Sequence, residues 1–451
     1  MPGPSTYFSN DRLDELSEST RHLVERRNRS LGAAYRLFYD QPVEIVRGAG
    51  TRLWDADGAE YLDVYNNVPS VGHSHPRVTE AIAAQAGLVN TNTRYLNAKL
   101  IDYSEDLLGT LPRALANAMY TCSGSEANDL ALRIAKSVTG RQGVIVTRNA
   151  YHGVTTETAA ISPSLGGEWS VAPWVRLIDA PTGDGSGFAD AVAAAAAELT
   201  ASEHGFAALI TDTIFASDGV QPGSSTGGGF LGRVMDVVHD ADGLFIADEV
   251  QAGFGRLGQS LWGFSRHDNA LGPAVPDLVT LGKPMGNGMP IGAVIARRDL
   301  VDTFAERGRY FSTFAGTPVS IAAAQAVLDV VRDEDLTANA LTVGAYLTEG
   351  LGMLSEFHGQ LGEVRGAGLF IGIDIMADGA PDEGATLALV NELRRRHVLI
   401  GASGPSRNTL KVRPPLSFST ADADRFLTEF DSALRATRAA SGTRSVASTH
   451  V

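Results

Sequence analysis

Two short apolar runs in this chain end in residues able to do chemistry. Leu244-Phe245-Ile246-Ala247 stops at Asp248-Glu249, and a second run closes on Leu281-Gly282-Lys283-Pro284. Each is too short for a helix and is bounded by glycine or proline, so each reads as a buried parallel strand with a charged residue at its carboxyl end. Ligands of open α/β sheets sit at that end. An acid there can hold a cationic ring nitrogen, and a lysine can form an imine with a carbonyl compound, provided both are shielded from water.

The elements that must position these residues follow from apolar periodicity. From about residue 117, runs at Val144 to Val146, Val175 to Ile178, Ala207 to Ile210, Leu244 to Ala247, Leu278 to Leu281 and Ile291 to Ile295 alternate with helical patterns. Leu231 to His239 is one such helix, with Leu231, Val234 and Val238 on one face, and the alanine-rich Phe188 to Thr200 is another. Strand and helix in series predict an α/β fold, with a mainly parallel sheet covered on both sides. Upstream, residues 1–70 read as an arm, with an amphipathic helix at Leu13 to Val24, followed by a small β-meander from Val43 to Val64 around the hairpin signal Asp55-Ala56-Asp57-Gly58. A helix starts at Pro76 and runs to Leu88, its proline placed where a missing N–H does no harm. Residues 71–330 form the large domain. Residues 331–440 form a smaller α+β domain built with the N-terminal part, from helices at Leu336 to Leu354, Glu383 to Arg396 and Ala421 to Leu434 and strands at Leu369 to Ile375, Val398 to Ile400 and Leu410 to Val412. The polar tail 441–451 is expected to be disordered.

Composition narrows the function. A chain of 451 residues with 44% hydrophobic and 20% charged residues is an ordinary globular protein large enough for several domains. Its net charge of −15 argues against a nucleic-acid or anionic-membrane surface, since both demand basic patches. A single cysteine, Cys122, excludes an internal disulfide and fits a reducing, cytoplasmic setting. No run approaches the roughly 18 apolar residues that span a bilayer.

Several local motifs admit two readings. Ser123-Gly124-Ser125-Glu126 opens a helix with capping-box spacing; it is either a plain cap or a phosphate site, because a helix N-terminus offers free N–H groups and the positive dipole end. Tyr151-His152-Gly153 lies on a loop at the same rim, where the tyrosine either stacks on a flat ring or covers core. The Asp248-Glu249 pair is not a nucleotide-hydrolase box, since Gly282-Lys283 lacks the upstream glycine and the following hydroxyl. Gly253-Phe254-Gly255-Arg256-Leu257-Gly258 has the letters of a dinucleotide fingerprint but lies beyond the strand, and is better read as a glycine loop. His73 and His75 lack a third ligand at suitable spacing, so no metal is expected.

Taken in order, Ser123-Gly124-Ser125-Glu126-Ala127-Asn128, Tyr151-His152-Gly153, Asp248-Glu249-Val250-Gln251, Gly253-Phe254-Gly255-Arg256, Lys283 and Thr313-Phe314-Ala315-Gly316-Thr317-Pro318 resemble the class III aminotransferases, pyridoxal-phosphate enzymes of fold type I. The likeness runs from about Leu31 to Leu434. It implies that Lys283 carries pyridoxal 5'-phosphate as an imine and shuttles a proton, and that Asp248 keeps the pyridine nitrogen protonated. It further implies that Tyr151, with His152 beside it, meets the ring, that Gln251 contacts the 3-oxygen, and that Ser123, Gly124 and Ser125 hold the phosphate with Thr313 of a neighbouring subunit. A homodimer with shared sites follows, with a tetramer as a further possibility.

The resemblance also bears on substrate. Members handling ornithine or γ-aminobutyrate carry a glutamate-proline pair and a partner arginine where this chain has Asp212-Thr213 and Lys411. A lysine cannot give a carboxylate the planar two-point grip of a guanidinium, which weighs against those substrates. Asn66-Asn67-Val68, Asn92-Thr93-Arg94-Tyr95-Leu96 and Gly366-Ala367-Gly368-Leu369-Phe370 resemble a branch containing ethanolamine-phosphate phospho-lyases. That branch implies elimination of phosphate from O-phosphoethanolamine, with Arg94 and Arg413 as phosphate contacts and Asn66 or Asn67 beside them. A transaminase acting on an ω-amine or an amino acid with pyruvate is the alternative, and a non-catalytic cofactor-binding protein fits the residues least.

Overall fold

The computed structural model describes residues 7–166, 171–223, 229–268 and 272–447. Its centre is a seven-stranded sheet in the spatial order Leu115–Thr121, Gly292–Arg297, Leu278–Leu281, Leu244–Asp248, Phe206–Asp212, Gly143–Thr147, Val175–Ile178. Gly292–Arg297 alone runs antiparallel to its neighbours. The link 282–291 holds only a short 3-10 turn, and without a crossover helix the next strand must return beside the last. The expected mainly parallel α/β sheet is therefore present.

The apolar runs are continuous because both faces of the sheet are buried. Ile145, Leu209, Phe245 and Val279 point into a core shared with the helices Phe188–Ala201 and Leu231–Asp240. Val144, Ala208, Ile210 and Ile246 point the other way, against Leu130 and Ile134 of the helix Gly124–Thr139 and Leu300 and Phe304 of Arg298–Arg307. Leu115–Thr121 gave no such signal, since Ala116, Asn117, Ala118 and Met119 on this edge strand are only partly buried.

Beyond the long helices Pro318–Asp333 and Leu336–Phe357, a second sheet orders Leu361–Ala367, Phe370–Ala377, Thr409–Val412 and Gly401–Ser403. The N-terminal meander Ile45–Ala49, Arg52–Asp55, Glu60–Asp63 is extended by Val398–Leu399, which pairs parallel with Glu60–Asp63 and so ties the two ends of the chain together. The first helix is Glu18–Leu31 rather than Leu13 to Val24: Ser17 Oγ accepts the N–H of Thr20 and sets the start. The last helix, Thr420–Ala447, continues past Leu434 through the segment expected as a disordered tail, and 448–451 lie outside the described residues. No helix among the described residues is long and apolar enough to cross a membrane.

The glycines of the Gly253 to Gly258 loop serve packing. Gly255 and Gly258 have φ of +83° and +79°, and a Cβ on either would lie 2.3 Å from Thr337 Oγ1 or 2.7 Å from the Leu341 backbone, so the helix Leu336–Phe357 can approach closely. Glu249 is likewise structural. Its buried carboxylate accepts the Thr213 hydroxyl at 2.8 Å and the amides of Gly263 and Phe264 at 2.8 Å each. Burial pushes this carboxyl up to about 7 from an ordinary 4.5. A group bound more tightly to its proton in the fold stabilises fully below the unfolded value, and that contribution is lost as pH rises through the folded one. Urea midpoints of wild type relative to Glu249→Gln are therefore expected to fall between about pH 5 and about pH 8, and an unchanging difference would show that Glu249 stays charged throughout.

Candidate active site

The carboxyl ends of the central strands open into a cavity of about 230 Å³ lined by Ser123, Gly124, Ser125, Tyr151, His152, Asp248, Gln251 and Lys283, with Asn128, Gly153, Asp212 and Val250 between them. Asp248 ends the strand Leu244–Asp248 and is 5% exposed. Its Oδ2 accepts Asn128 Nδ2–H at 2.9 Å and lies 2.7 Å from His152 Nδ1, while Oδ1 accepts the Val250 amide at 3.0 Å. Each partner is itself fixed. Asn128 donates to the His152 carbonyl at 2.8 Å and accepts the Thr280 hydroxyl at 2.6 Å, and the His152 amide donates to Ser162 Oγ at 2.8 Å. A carboxylate so fully bonded holds one orientation toward the cavity without rearranging.

Lys283 opens the 3-10 turn Lys283–Gly286 after the strand Leu278–Leu281. Ser70 Oγ donates to the Pro284 carbonyl at 2.9 Å, and Asn287 is bonded to Val71 and Gly72, so the turn is pinned from the N-terminal side. Burial lowers the lysine's pKa, with the Arg413 charge adding to that and Asp248 and Asp212 opposing it. Its amine has no hydrogen bond or ion pair among the described residues. An amine whose neutral form is favoured is a better nucleophile and proton acceptor.

Opposite lies the N-terminus of the helix Gly124–Thr139. The Ser123 side chain accepts from the Glu126 amide and Glu126 reaches back to the Cys122 N–H, so the cap reading holds. The amides of Gly124 and Ser125, at the first two helical positions, have no intrahelical acceptor. The backbone is drawn close by absent side chains: a Cβ on Gly124 would lie 2.6 Å from Val250 Cγ1, and one on Gly153, whose φ is +137°, 2.5 Å from Ser125 Oγ. This cradle suits an anion, and the cap leaves the first two helical amides free for one.

The other expected residues divide. Arg413 is buried, stacks 4.6 Å over the Tyr65 ring and donates through Nη1 to Gln251 Oε1 and, at 3.4 Å, to Asn67 Oδ1. Asn67 and Arg413 thus adjoin Gln251 at the cavity. Asn66 is engaged locally, its Oδ1 accepting the Val68 amide at 3.2 Å to close a turn. Arg94 and Thr313 lie on exposed loops outside this chain's cavity, with the Arg94 guanidinium over the Phe311 ring, 3.8 Å from its centroid. His73 pairs with Asp63 at 2.6 Å and His75 with Glu334 at 3.1 Å, so the two rings serve separate contacts.

Asn128 and Tyr65 were not assigned roles from sequence. An asparagine among Ala127, Leu130, Ala131 and Ile134 on a buried helix face is a legible signal, since an amide there needs partners. Tyr65 gives none until the fold brings Arg413 beside it.

The family model for aminotransferase class-III matches residues 37–434. The chain is 37% identical to an alanine–glyoxylate aminotransferase 2-like protein of Drosophila melanogaster, covering 95% of this chain and 90% of that one. It is 34% identical to ethanolamine-phosphate phospho-lyase homolog 1 of Caenorhabditis elegans, covering 92% and 94%. Among solved structures it is similar to a phospholyase from Arthrobacter in complex with phosphoethanolamine, with 42% identity, a TM-score of 0.86, and coverage of 92% of this chain and 99% of that one. The chain belongs to the class III aminotransferase family, and so to the pyridoxal-phosphate-dependent enzymes of fold type I.

Because Gly153 must stay bare for Ser125 to keep its place, Gly153→Ala is expected to weaken inorganic phosphate at the helix N-terminus by about tenfold or more. The shift in melting temperature with added phosphate measures this; an undiminished shift would place the anion elsewhere.

Proposed function

We propose that this enzyme is a phospho-lyase that converts O-phosphoethanolamine, or a similar amino phosphate, and one water to an aldehyde, ammonia and inorganic phosphate. The likeness to the Arthrobacter phospholyase carries the reading. The residues present fit pyridoxal 5'-phosphate: the bare cradle at Gly124 and Gly153 and the free amides of Gly124 and Ser125 for its phosphate, Tyr151 for its ring face, Asp248 for its ring nitrogen, and the unpartnered Lys283 amine for its aldehyde. Gln251 Oε1 is occupied by Arg413, which leaves the amide N–H groups of Gln251 to donate into the cavity. Bound there, the cofactor supplies an electron sink for the pair left when the proton beside the substrate nitrogen is removed.

The chain's own residues do the rest. Lys283 Nζ, its neutral form favoured by burial, accepts that proton from the carbon. Asp248, locked by Asn128, His152 and the Val250 amide, presents a fixed negative charge to a ring cation. Arg413, held by Tyr65 and Gln251, keeps a buried Nε without a partner and so has donor capacity for the far end of the substrate.

We read the working form as a homodimer. Tyr95, Leu96, Phe311 and Phe314 are exposed apolar side chains on the same loops as Arg94 and Thr313. Such a cluster is covered in stable assemblies, and covering it with a second copy would deliver Arg94 and Thr313 to the partner's cavity.

Transamination is the second reading, favoured by the likeness to the alanine–glyoxylate aminotransferase 2-like protein. A phosphate-release assay separates the two: the phospho-lyase liberates phosphate from O-phosphoethanolamine with no keto acid present, whereas turnover that requires pyruvate and frees no phosphate would establish the transaminase. Arg413→Ala is expected to raise KM for the amino phosphate by about thirtyfold or more and to change that for a simple amine far less, equal effects speaking against an anion contact. Leu96→Asp with Phe314→Asp is expected to yield monomers on size-exclusion chromatography that lose activity; active monomers would refute shared sites.

A further inference from the structure

The turn 213–220, which follows the central strand Phe206–Asp212, has no role in the site as described so far, yet it is bonded to the segment that carries Tyr151 and His152. Phe215 and Val220 have φ of +51° and +64°, a left-handed region that bulky and β-branched residues rarely adopt. Such conformations persist only where the surroundings over-determine them, and they gather at functional sites. Three sets of contacts hold this one. From within, Asp212 accepts the amides of Ile214 and Ala216 at 2.9 Å each. From the second sheet, Arg365 of Leu361–Ala367 donates to the Val220 carbonyl at 2.8 Å and to the Gly219 carbonyl at 2.7 Å. Arg365 is itself fixed by both oxygens of Asp374, at 2.6 and 3.0 Å, and Ser403 Oγ donates to the Ala216 carbonyl at 3.2 Å. Beneath, Ile214, Ala216 and Val220 pack with Leu257 and Phe370 in a separate buried cluster.

One side chain joins this turn to the cofactor loop. Asp218, 6% exposed, ends the 3-10 turn Ala216–Asp218. Its Oδ2 accepts the Thr147 hydroxyl at 2.7 Å and its Oδ1 accepts the Asn149 amide at 3.2 Å. Thr147 closes the strand Gly143–Thr147, and the chain then runs through Asn149 straight into Tyr151 and His152. Burial pushes the Asp218 carboxyl up to about 6; the bonds from Thr147 and Asn149 oppose the rise, as does His152, and Asp212 adds to it. Among the described residues no arginine or lysine pairs with Asp218. A buried acid without a cation depends on its hydrogen bonds, so drawing the loop away from the turn would leave it unbonded. Turn and loop are therefore held as one unit.

We propose that Asp218 is a positioning residue for the cofactor: it ties the loop carrying Tyr151 and His152 to a turn gripped by Arg365, so that the second sheet sets where the cofactor ring lies. Neither Asp218 nor Arg365 lines the cavity. They act through Tyr151, which does, and through His152, whose Nδ1 lies 2.7 Å from Asp248 Oδ2. A shift of the loop moves both contacts together. This role rests on Tyr151 meeting the cofactor ring, as read above, and not on which amine is turned over.

Visible circular dichroism of the holoenzyme, which reports how asymmetrically the ring is held, and the dissociation constant of pyridoxal 5'-phosphate test it. Asp218→Ala and Arg365→Met are each expected to weaken the cofactor by about tenfold and to lower the dichroism per bound cofactor by about half. The double variant is expected to do no more than the worse single one, since both break one linkage. Wild-type values in either single variant, or losses that add in the double one, overturn the proposal. Should these variants misfold, Thr147 decides: Thr147→Val removes the hydroxyl at nearly constant shape and is expected to lower the dichroism, whereas Thr147→Ser keeps the hydroxyl and is expected to preserve it. Equal values for the two overturn the role. Tyr151→Ala tells the two readings apart. If it alters dichroism and affinity while Asp218→Ala does not, Asp218 alone loses its role; if Tyr151→Ala is silent, the ring contact itself falls.

Discussion

The structure depends on one buried carboxylate. Asp248 ends the central strand of the large sheet in a setting where an unpaired charge would be prohibitively costly, and three segments converge to bond it while a fourth steadies one of them. The helix Gly124–Thr139 sends Asn128, the loop after Gly143–Thr147 sends His152, the turn after Asp248 supplies the Val250 amide, and the next strand steadies Asn128 through Thr280. The same convergence fixes the helix Gly124–Thr139 and the Tyr151 loop at one cavity, with the Lys283 turn pinned separately by Ser70, Val71 and Gly72. Bonds that satisfy the charge and contacts that shape the site are thus the same bonds.

How much of this was legible in the sequence depends on how local each signal is. Strands buried on both faces announce themselves as unbroken apolar runs, so Leu244–Asp248 and Leu278–Leu281 were readable with their terminal Asp248 and Lys283. The half-buried edge strand Leu115–Thr121 was not, because alanine and asparagine carry no clear period. Ser17 marks the true start of the first helix, but a run of charged residues gave equal support to an earlier one.

Site residues follow the same rule. The turn proposed to cradle a phosphate was legible as a serine-glycine turn on an amphipathic helix. Glu249, adjacent to Asp248 and of the same charge, turns away to bond Thr213 and two amides, a distinction that strand alternation permits but sequence alone leaves unassigned. Asn66 and Asn67 are neighbours of one type, and only the local turn separates their roles. Tyr65 acquires meaning only when the fold brings Arg413, hundreds of residues away, over its ring. Arg94 and Thr313 lie on the surface of a single copy, and only in the proposed homodimer would they reach a cavity.

We propose that the cofactor attaches to the amine of Lys283, which lines the cavity with Asp248. Borohydride reduction of the purified protein, followed by digestion and mass spectrometry, tests it directly. The mass of the reduced cofactor is expected on the peptide containing Lys283; the same mass on another lysine, Lys411 foremost, or on no peptide at all, would contradict it.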